Sequence, residues 1–73
     1  MDEEILRELT LGEGTDRETL ITLAYLGQEI KNPYELRVLN KGSSIPVKSR
    51  YETAVDGDKA FTALGTTFYL LRK

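Results

Sequence analysis

The chain of 73 residues contains no cysteine, no histidine and no tryptophan. Without cysteine it can form no disulfide, no thiolate metal site and no cysteine nucleophile. Without histidine it can build neither a Ser-His-Asp nor a Cys-His catalytic site, and no imidazole metal site. These absences lead us to expect a protein that is not an enzyme and that holds no metal or cofactor.

Long hydrophobic runs are also missing. No stretch reaches the 18 or so apolar residues of a membrane span, and the acidic N-terminal sequence MDEEILREL is unlike a signal peptide. The lack of cysteine is compatible with a reducing compartment. We therefore expect a single small domain over residues 1–73, cytoplasmic and without a membrane partner.

Charge is distributed unevenly along the chain. The net charge is −2, but residues 1–30 carry a net −6 and residues 31–73 a net +4. Such an asymmetry suggests a polyanionic partner such as nucleic acid. A solvated surface that happens to be polarised explains it equally well.

Local signals in the first half predict two helices. Asp2 can cap a first helix, which the glycines of residues 12–14 would end. Thr15 and Glu18 match a capping box, and apolar residues follow at the spacing of a core helix. Gly27 predicts the end of this second helix, or a bend in it.

The segment NPYELRVLNKG, residues 32–42, fits two interpretations. Tyr34, Leu36 and Val38 alternate with charged residues, as in a half-buried strand. However, its asparagine, proline and glutamate are spaced as a helix start, and its glycine supplies a helix stop. We give the start and stop signals more weight and predict a short helix over residues 33–41.

From Ile45 the apolar period changes to two, which is typical of a strand. Val47 and Tyr51 fall on one face of this strand, and Lys48 and Arg50 on the other. This is the clearest strand pattern in the chain.

A returning strand is predicted to complete a hairpin over residues 45–71. The sequence DGD at 56–58 favours its turn over a calcium loop, which would need further ligands. The sequence TTFYLLRK at 66–73 is predicted to form the second strand, and both of its faces are apolar. Residues 59–64 fit an extension of that strand, a loop or a helical turn. One face is therefore a candidate homodimer contact, through Phe68, Leu70 and Leu71.

This order of elements resembles the winged helix-turn-helix group of DNA-binding domains. The resemblance rests on LAYLG at 23–27, on residues 32–42, and on IPVKSRYE, DGD and TTFYLL in the place of the wing hairpin. It implies an α+β fold of three short helices followed by a β-hairpin. It also implies a transcriptional regulator that binds double-stranded DNA, with helix 33–41 in the major groove and the hairpin on flanking phosphates.

The predicted nucleic-acid-binding residues combine one aromatic ring, cations and a hydroxyl. Three of them form a stripe on a helix over 33–41, two share the polar face of the strand, and two are further phosphate donors. They are Lys31, Tyr34, Arg37, Lys41, Ser43, Lys48 and Arg50. Two alternatives stay open: an ordinary solvated surface, and a protein-interaction module that uses the acidic N-terminal half or the apolar last strand.

Overall fold

The structure is a four-stranded antiparallel sheet followed by one helix. The computed structural model describes residues 3–72, with side chains as far as Thr67. The strands are β1 (Glu4–Leu11), β2 (Thr19–Tyr25), β3 (Tyr34–Asn40) and β4 (Val47–Tyr51), and the helix is α1 (Ala54–Arg72). The strands pair in sequence order, so β1 and β4 are the two edges of the sheet.

The predicted fold of three short helices followed by a β-hairpin is therefore wrong. The segments interpreted as three helices form β1, β2 and β3. The predicted turn lies in α1, as does the predicted returning strand up to Arg72. Of the two predicted strands, the one from Ile45 is found only over Val47–Tyr51, as β4, because Ala54 and Val55 already belong to α1. Neither the helix over 33–41 nor the hairpin over 45–71 exists.

β3 is a strand because its alternating side chains meet two different environments. Leu36 is buried in the core and Val38 packs against it, whereas the side chains between them belong to the other face of the sheet. The residues that signalled a helix start belong instead to the loop before β3. There the N–H of Leu26 donates to the carbonyl of Pro33 at 2.8 Å, and Asn32 has a positive φ of 54°.

The residues of the predicted capping box form a turn between β1 and β2. The carboxylate of Glu18 accepts a hydrogen bond from the N–H of Gly14 at 3.0 Å. The hydroxyl of Thr15 accepts one from the N–H of Arg17 at 3.2 Å. Such side-chain-to-backbone bonds serve turns as well as helix starts, so the motif does not distinguish the two.

α1 begins at a cap that the sequence interpretation overlooked. The hydroxyl of Thr53 accepts a hydrogen bond from the N–H of Asp56 at 3.1 Å, and the negative charge of Asp56 complements the positive helix end. Residues 56–58 are thus the first turns of a helix and not a hairpin turn. The proposed dimer residues are likewise helical rather than on a strand, and their side chains lie outside the described residues: Phe68, Leu70 and Leu71.

The core lies between α1 and one face of the sheet. It is built from Ile21 and Leu23 of β2, Leu36 of β3 and Phe61 of α1, all at most 6% exposed. α1 approaches the sheet closely at Gly57, where an added Cβ would lie 3.2 Å from a methyl group of Leu23. No helix in the described part of the chain is long and apolar enough to cross a membrane.

Candidate functional site

The sheet has one face under α1 and one open face, and three of the predicted cations share the open face. In the β3–β4 register, Glu35 is opposite Arg50 and Arg37 is opposite Lys48. Because side chains alternate along a strand, these four side chains all project from the face away from α1. The grouping of Lys48 with Arg50 follows the period-two pattern of the sequence.

Arg37 is held by two carboxylates of the same chain. Its Nε donates to Glu35 at 2.6 Å, and its two terminal nitrogens donate to the two oxygens of Glu3 at 2.8 and 2.6 Å. The hydrogen bonds with Glu3 and then Glu35 raise the pKa of Arg37, and the hydrogen bond from Arg37 lowers the pKa of Glu3. The guanidinium is therefore engaged within the protein and does not project as a base-reading side chain.

Glu35 is the inner member of this cluster. Only 8% of its side chain is exposed, and its second oxygen lies 3.6 Å from Nε of Arg50. Glu3 and Glu35 both hold Arg37, and Glu35 also lies near Arg50. Lys48 is the cation of β4 that makes no ion pair with any described residue, and its charge contributes, after the hydrogen bond from Arg37, to the lowered pKa of Glu3. The open face is therefore an ion-pair network bordered by the two cations of β4.

Tyr34 lies on the opposite side of the sheet from these cations. It packs against the core, and its ring centroid is 5.1 Å from that of Tyr25, with the planes tilted by 45°. A helix would have placed Tyr34, Arg37 and Lys41 in one stripe. In a strand an odd separation puts two residues on opposite faces, and the stripe disappears.

The other three predicted residues lie in loops at the two ends of the sheet. Lys41 and Ser43 belong to the β3–β4 turn, where the Lys41 ammonium donates to the carbonyl of Thr15 at 3.3 Å. The Ser43 hydroxyl donates to the carbonyl of Ile45 at 3.2 Å. Lys31 lies in the loop between β2 and β3, at the other end of the meander. The seven predicted residues thus do not form one surface.

An apolar groove of about 430 Å³ runs between β4 and α1 on the side of the sheet that α1 covers. Its walls come from β3, β4 and α1, and include Val38, Val47, Tyr51, Ala60 and Leu64. Val47 remains 67% exposed. α1 is too narrow to cover all four strands, so the outermost strand keeps part of its apolar row in contact with solvent.

The groove lies beside an open strand edge. β4 pairs with β3 alone among the strands of residues 3–72, so its outer backbone N–H and C=O groups have no strand partner there. An edge of this kind can accept a further strand. β4 is thus flanked by an apolar groove on one face and by Lys48 and Arg50 on the other.

The opposite edge of the sheet is less suited to receive a strand. β1 has a register shift between Ile5 and Arg7, and such irregularities interrupt edge pairing. Arg7 lines a second groove, of about 310 Å³, between β1 and α1. It lies 4.4 Å from the ring centroid of Phe61 and donates hydrogen bonds to Asp58 and Thr62 of α1. This groove therefore has a cation in its lining, whereas the lining of the groove beside β4 has no charged residue.

The described residues contain no group of acidic side chains arranged to hold a metal ion. Comparisons of the chain with protein-family models, curated proteins and solved structures found no match.

Sequence reasoning missed the groove because it interpreted α1 as a turn and a strand. A usable signal was present. Ala60, Ala63 and Leu64 recur at helical spacing behind a threonine that can cap, and Ala favours helices strongly. Recognising that helix would have placed an apolar stripe opposite Val47 and Tyr51 of β4.

Proposed function

We propose that this protein is a protein-interaction module that binds an extended segment of another polypeptide along β4. One observation supports the proposal: an open strand edge and an apolar groove lie side by side at Val47–Tyr51. In strand addition, backbone hydrogen bonds supply affinity, and pockets for alternate side chains supply specificity. β4 has the two features that this mode of recognition requires.

The size of the site predicts weak binding. β4 has five residues, so an added strand pairs over a short length and places two or three side chains in the groove. Burial of apolar surface at about 25 cal/mol per Å² is partly offset by the entropy lost when the peptide is ordered. We expect a Kd of about 10⁻⁵ to 10⁻³ M for a short peptide.

A second candidate is binding of double-stranded DNA through the open face, with a role in transcription. It is favoured by the clustering of Arg37, Lys48 and Arg50 on that face. The ion pairs with Glu3 and Glu35 weigh against it, because they engage Arg37 closely and Arg50 at 3.6 Å. Both candidates include a cytoplasmic location, with which the absence of cysteine is compatible.

Selection of short peptides from a random displayed library, followed by NMR titration of the enriched peptides, tests the first candidate. We expect shift changes for the amides of β4 and for the α1 residues that line the groove. Val47→Asp places a charge at the groove and should weaken binding at least about tenfold, because a carboxylate there loses hydration on binding.

Val55→Asp is the matched control. Val55 is 61% exposed, close to the 67% of Val47, and does not line the groove. This variant should bind as the wild type does. Equal effects of the two substitutions, or shift changes confined to regions away from β4, would overturn the proposal.

Titration of a mixed-sequence duplex at several salt concentrations tests the second candidate. Each neutralised phosphate contributes a slope of about −0.9 in log K against log salt, so Lys48→Ala should reduce the slope by about 1. Arg7→Ala removes a cation that contacts α1 and should leave the slope unchanged. Binding that is insensitive to salt, or equal effects of both variants, would exclude the DNA candidate.

A further inference from the structure

We propose that the segment bound at β4 is acidic, with Asp or Glu at alternate positions beside Lys48 and Arg50 and apolar residues toward the groove. This inference rests on the proposed strand addition and specifies the chemistry of the partner. Strand β4 contains two cations and no acid within Val47–Tyr51. Both cations project from the open face.

Neither cation is fully neutralised by the protein itself. Lys48 makes no ion pair with a described residue. Arg50 is 49% exposed, and its 3.6 Å contact with Glu35 is longer than the 2.6 Å contact that Glu35 makes with Arg37. Glu35 is therefore held mainly by Arg37, and Arg50 can pair with a second carboxylate from outside.

The positions of the two cations and the groove on opposite faces of β4 predict the sequence pattern of the bound peptide. The side chains of a strand added to the outer edge of β4 alternate between the open face and the groove. Opposite charges on neighbouring strands are favourable, and like charges directly opposite each other are unfavourable. The complement of VKSRY is thus a segment in which acidic and apolar residues alternate.

A second copy of this chain fits the edge less well. Pairing of two β4 strands would bring Lys48 and Arg50 close to the same cations of the other copy. β1 of a second copy would bring Glu8 to the open face, since Glu8 aligns with Thr22 and Arg37 across the sheet. However, β1 has a register shift between Ile5 and Arg7, which breaks the side-chain alternation that an incoming strand needs.

Three blocked synthetic peptides test the inference, each alternating Val with one other residue: Glu, Lys or Ser. NMR titration should give shift changes at β4, with the Glu peptide about tenfold tighter than the Ser peptide and the Lys peptide weakest. A tenfold difference in Kd corresponds to the binding free energy that two favourable cross-strand charge pairs are expected to contribute together. High salt should reduce the difference, because the charges are exposed to solvent.

Lys48→Glu should abolish the affinity order of the Glu and Lys peptides, because one carboxylate and one cation, Arg50, then face the added strand. Lys59→Glu is the control, because it changes the net charge equally at an exposed position on α1. It should leave the order unchanged. A change in order with Lys59→Glu as well would mean that net charge, and not the β4 face, selects the peptide, and would overturn the inference.

The remaining outcomes separate the two proposals. Equal binding of the three peptides with shifts at β4 would refute the acidic preference and leave strand addition in place. Absence of shifts at β4 with every peptide, including those selected from the library, would refute strand addition as well. A concentration-dependent dimer that blocks the β4 amides would assign the edge to a second copy and overturn the inference.

Discussion

Arg37→Met should destabilise the protein by about 2 kcal/mol, because it removes the main partner of a nearly buried carboxylate. Arg37 donates to Glu35 at 2.6 Å, and the Glu35 side chain is 8% exposed. Breaking a buried pair costs about 3–5 kcal/mol in general. We expect less here, because Arg50 remains 3.6 Å from Glu35 and the cluster lies on an open face.

Urea unfolding, followed by circular dichroism, measures this loss of unfolding free energy. In a thermal melt, the melting temperature should fall by roughly 10 °C, since about 1 kcal/mol shifts it by 4–8 °C in a domain of this size. The double variant Arg37→Met with Glu35→Leu should recover much of the loss, because it removes both charges instead of leaving one unpaired.

Arg17→Met is the control for this experiment. Arg17 is exposed in the β1–β2 turn, so its replacement should change the free energy of unfolding by less than about 0.5 kcal/mol. Two results would contradict this expectation: Arg37→Met as mild as the control, or a double variant whose loss of stability equals the sum of the losses of its single variants. Either result would mean that Glu35 does not depend on Arg37.

Three further predictions concern pH, the core and the helix–sheet contact. The hydrogen bond from Arg37 lowers the pKa of Glu3 in the folded protein. This hydrogen bond therefore stabilises the fold fully above the unfolded-state pKa of about 4.3, and the stabilisation is lost as the pH falls through the lower folded-state pKa. The urea midpoint should therefore fall more steeply below about pH 4 in the wild type than in Arg37→Met. Phe61→Ala, at a site 3% exposed, should cost about 3–5 kcal/mol, comparable with the whole stability of so small a domain; a retained cooperative thermal transition would contradict this. Gly57→Ala should destabilise the protein, because the added Cβ would lie 3.3 Å from Cβ of Tyr34, which cannot move aside easily. Gly65→Ala should be nearly neutral, because the added Cβ would meet only a movable methyl group of Leu9, at 3.0 Å. Thermal melts that rank the two variants in the reverse order would contradict this packing.

The strand at β4 could be predicted because no competing local signal opposes its period of two. β3 shows the same alternation, but Asn32 and Pro33 also resemble a helix start. Residues 34–40 form a strand rather than a helix because they pair with β2 and β4, in a register that brings Leu36 into the core. Such pairing is a tertiary effect that overrides local propensity.

α1 was missed for a related reason. Gly57 and Gly65 disfavour a helix by about 1 kcal/mol each, and Thr and aromatic residues in its second half favour a strand. Packing explains Gly57, since an added Cβ would lie 3.2 Å from Leu23 and 3.3 Å from Cβ of Tyr34. A sequence shows the conformational cost of such a glycine but not the close contact that requires it.

The candidate site could be predicted from the sequence only in part. The shared face of Lys48 and Arg50 follows from alternation alone. The neutralisation of Arg37 does not, because Glu3 lies 34 positions away in sequence and reaches Arg37 only through the sheet. A charge count along the chain therefore indicated a basic half, although the folded sheet pairs Arg37 and Arg50 with Glu3 and Glu35.

Hydrogen exchange of the β4 amides, with and without the alternating Glu–Val peptide, tests the central claim most directly. Strand addition predicts that the outward-facing amides of Val47–Tyr51 exchange at least about tenfold more slowly at saturating peptide, because each gains a backbone hydrogen bond. The amides of β1, Glu4–Leu11, should be unchanged. Unchanged exchange in β4 at saturation, or equal protection of β1, would contradict the account.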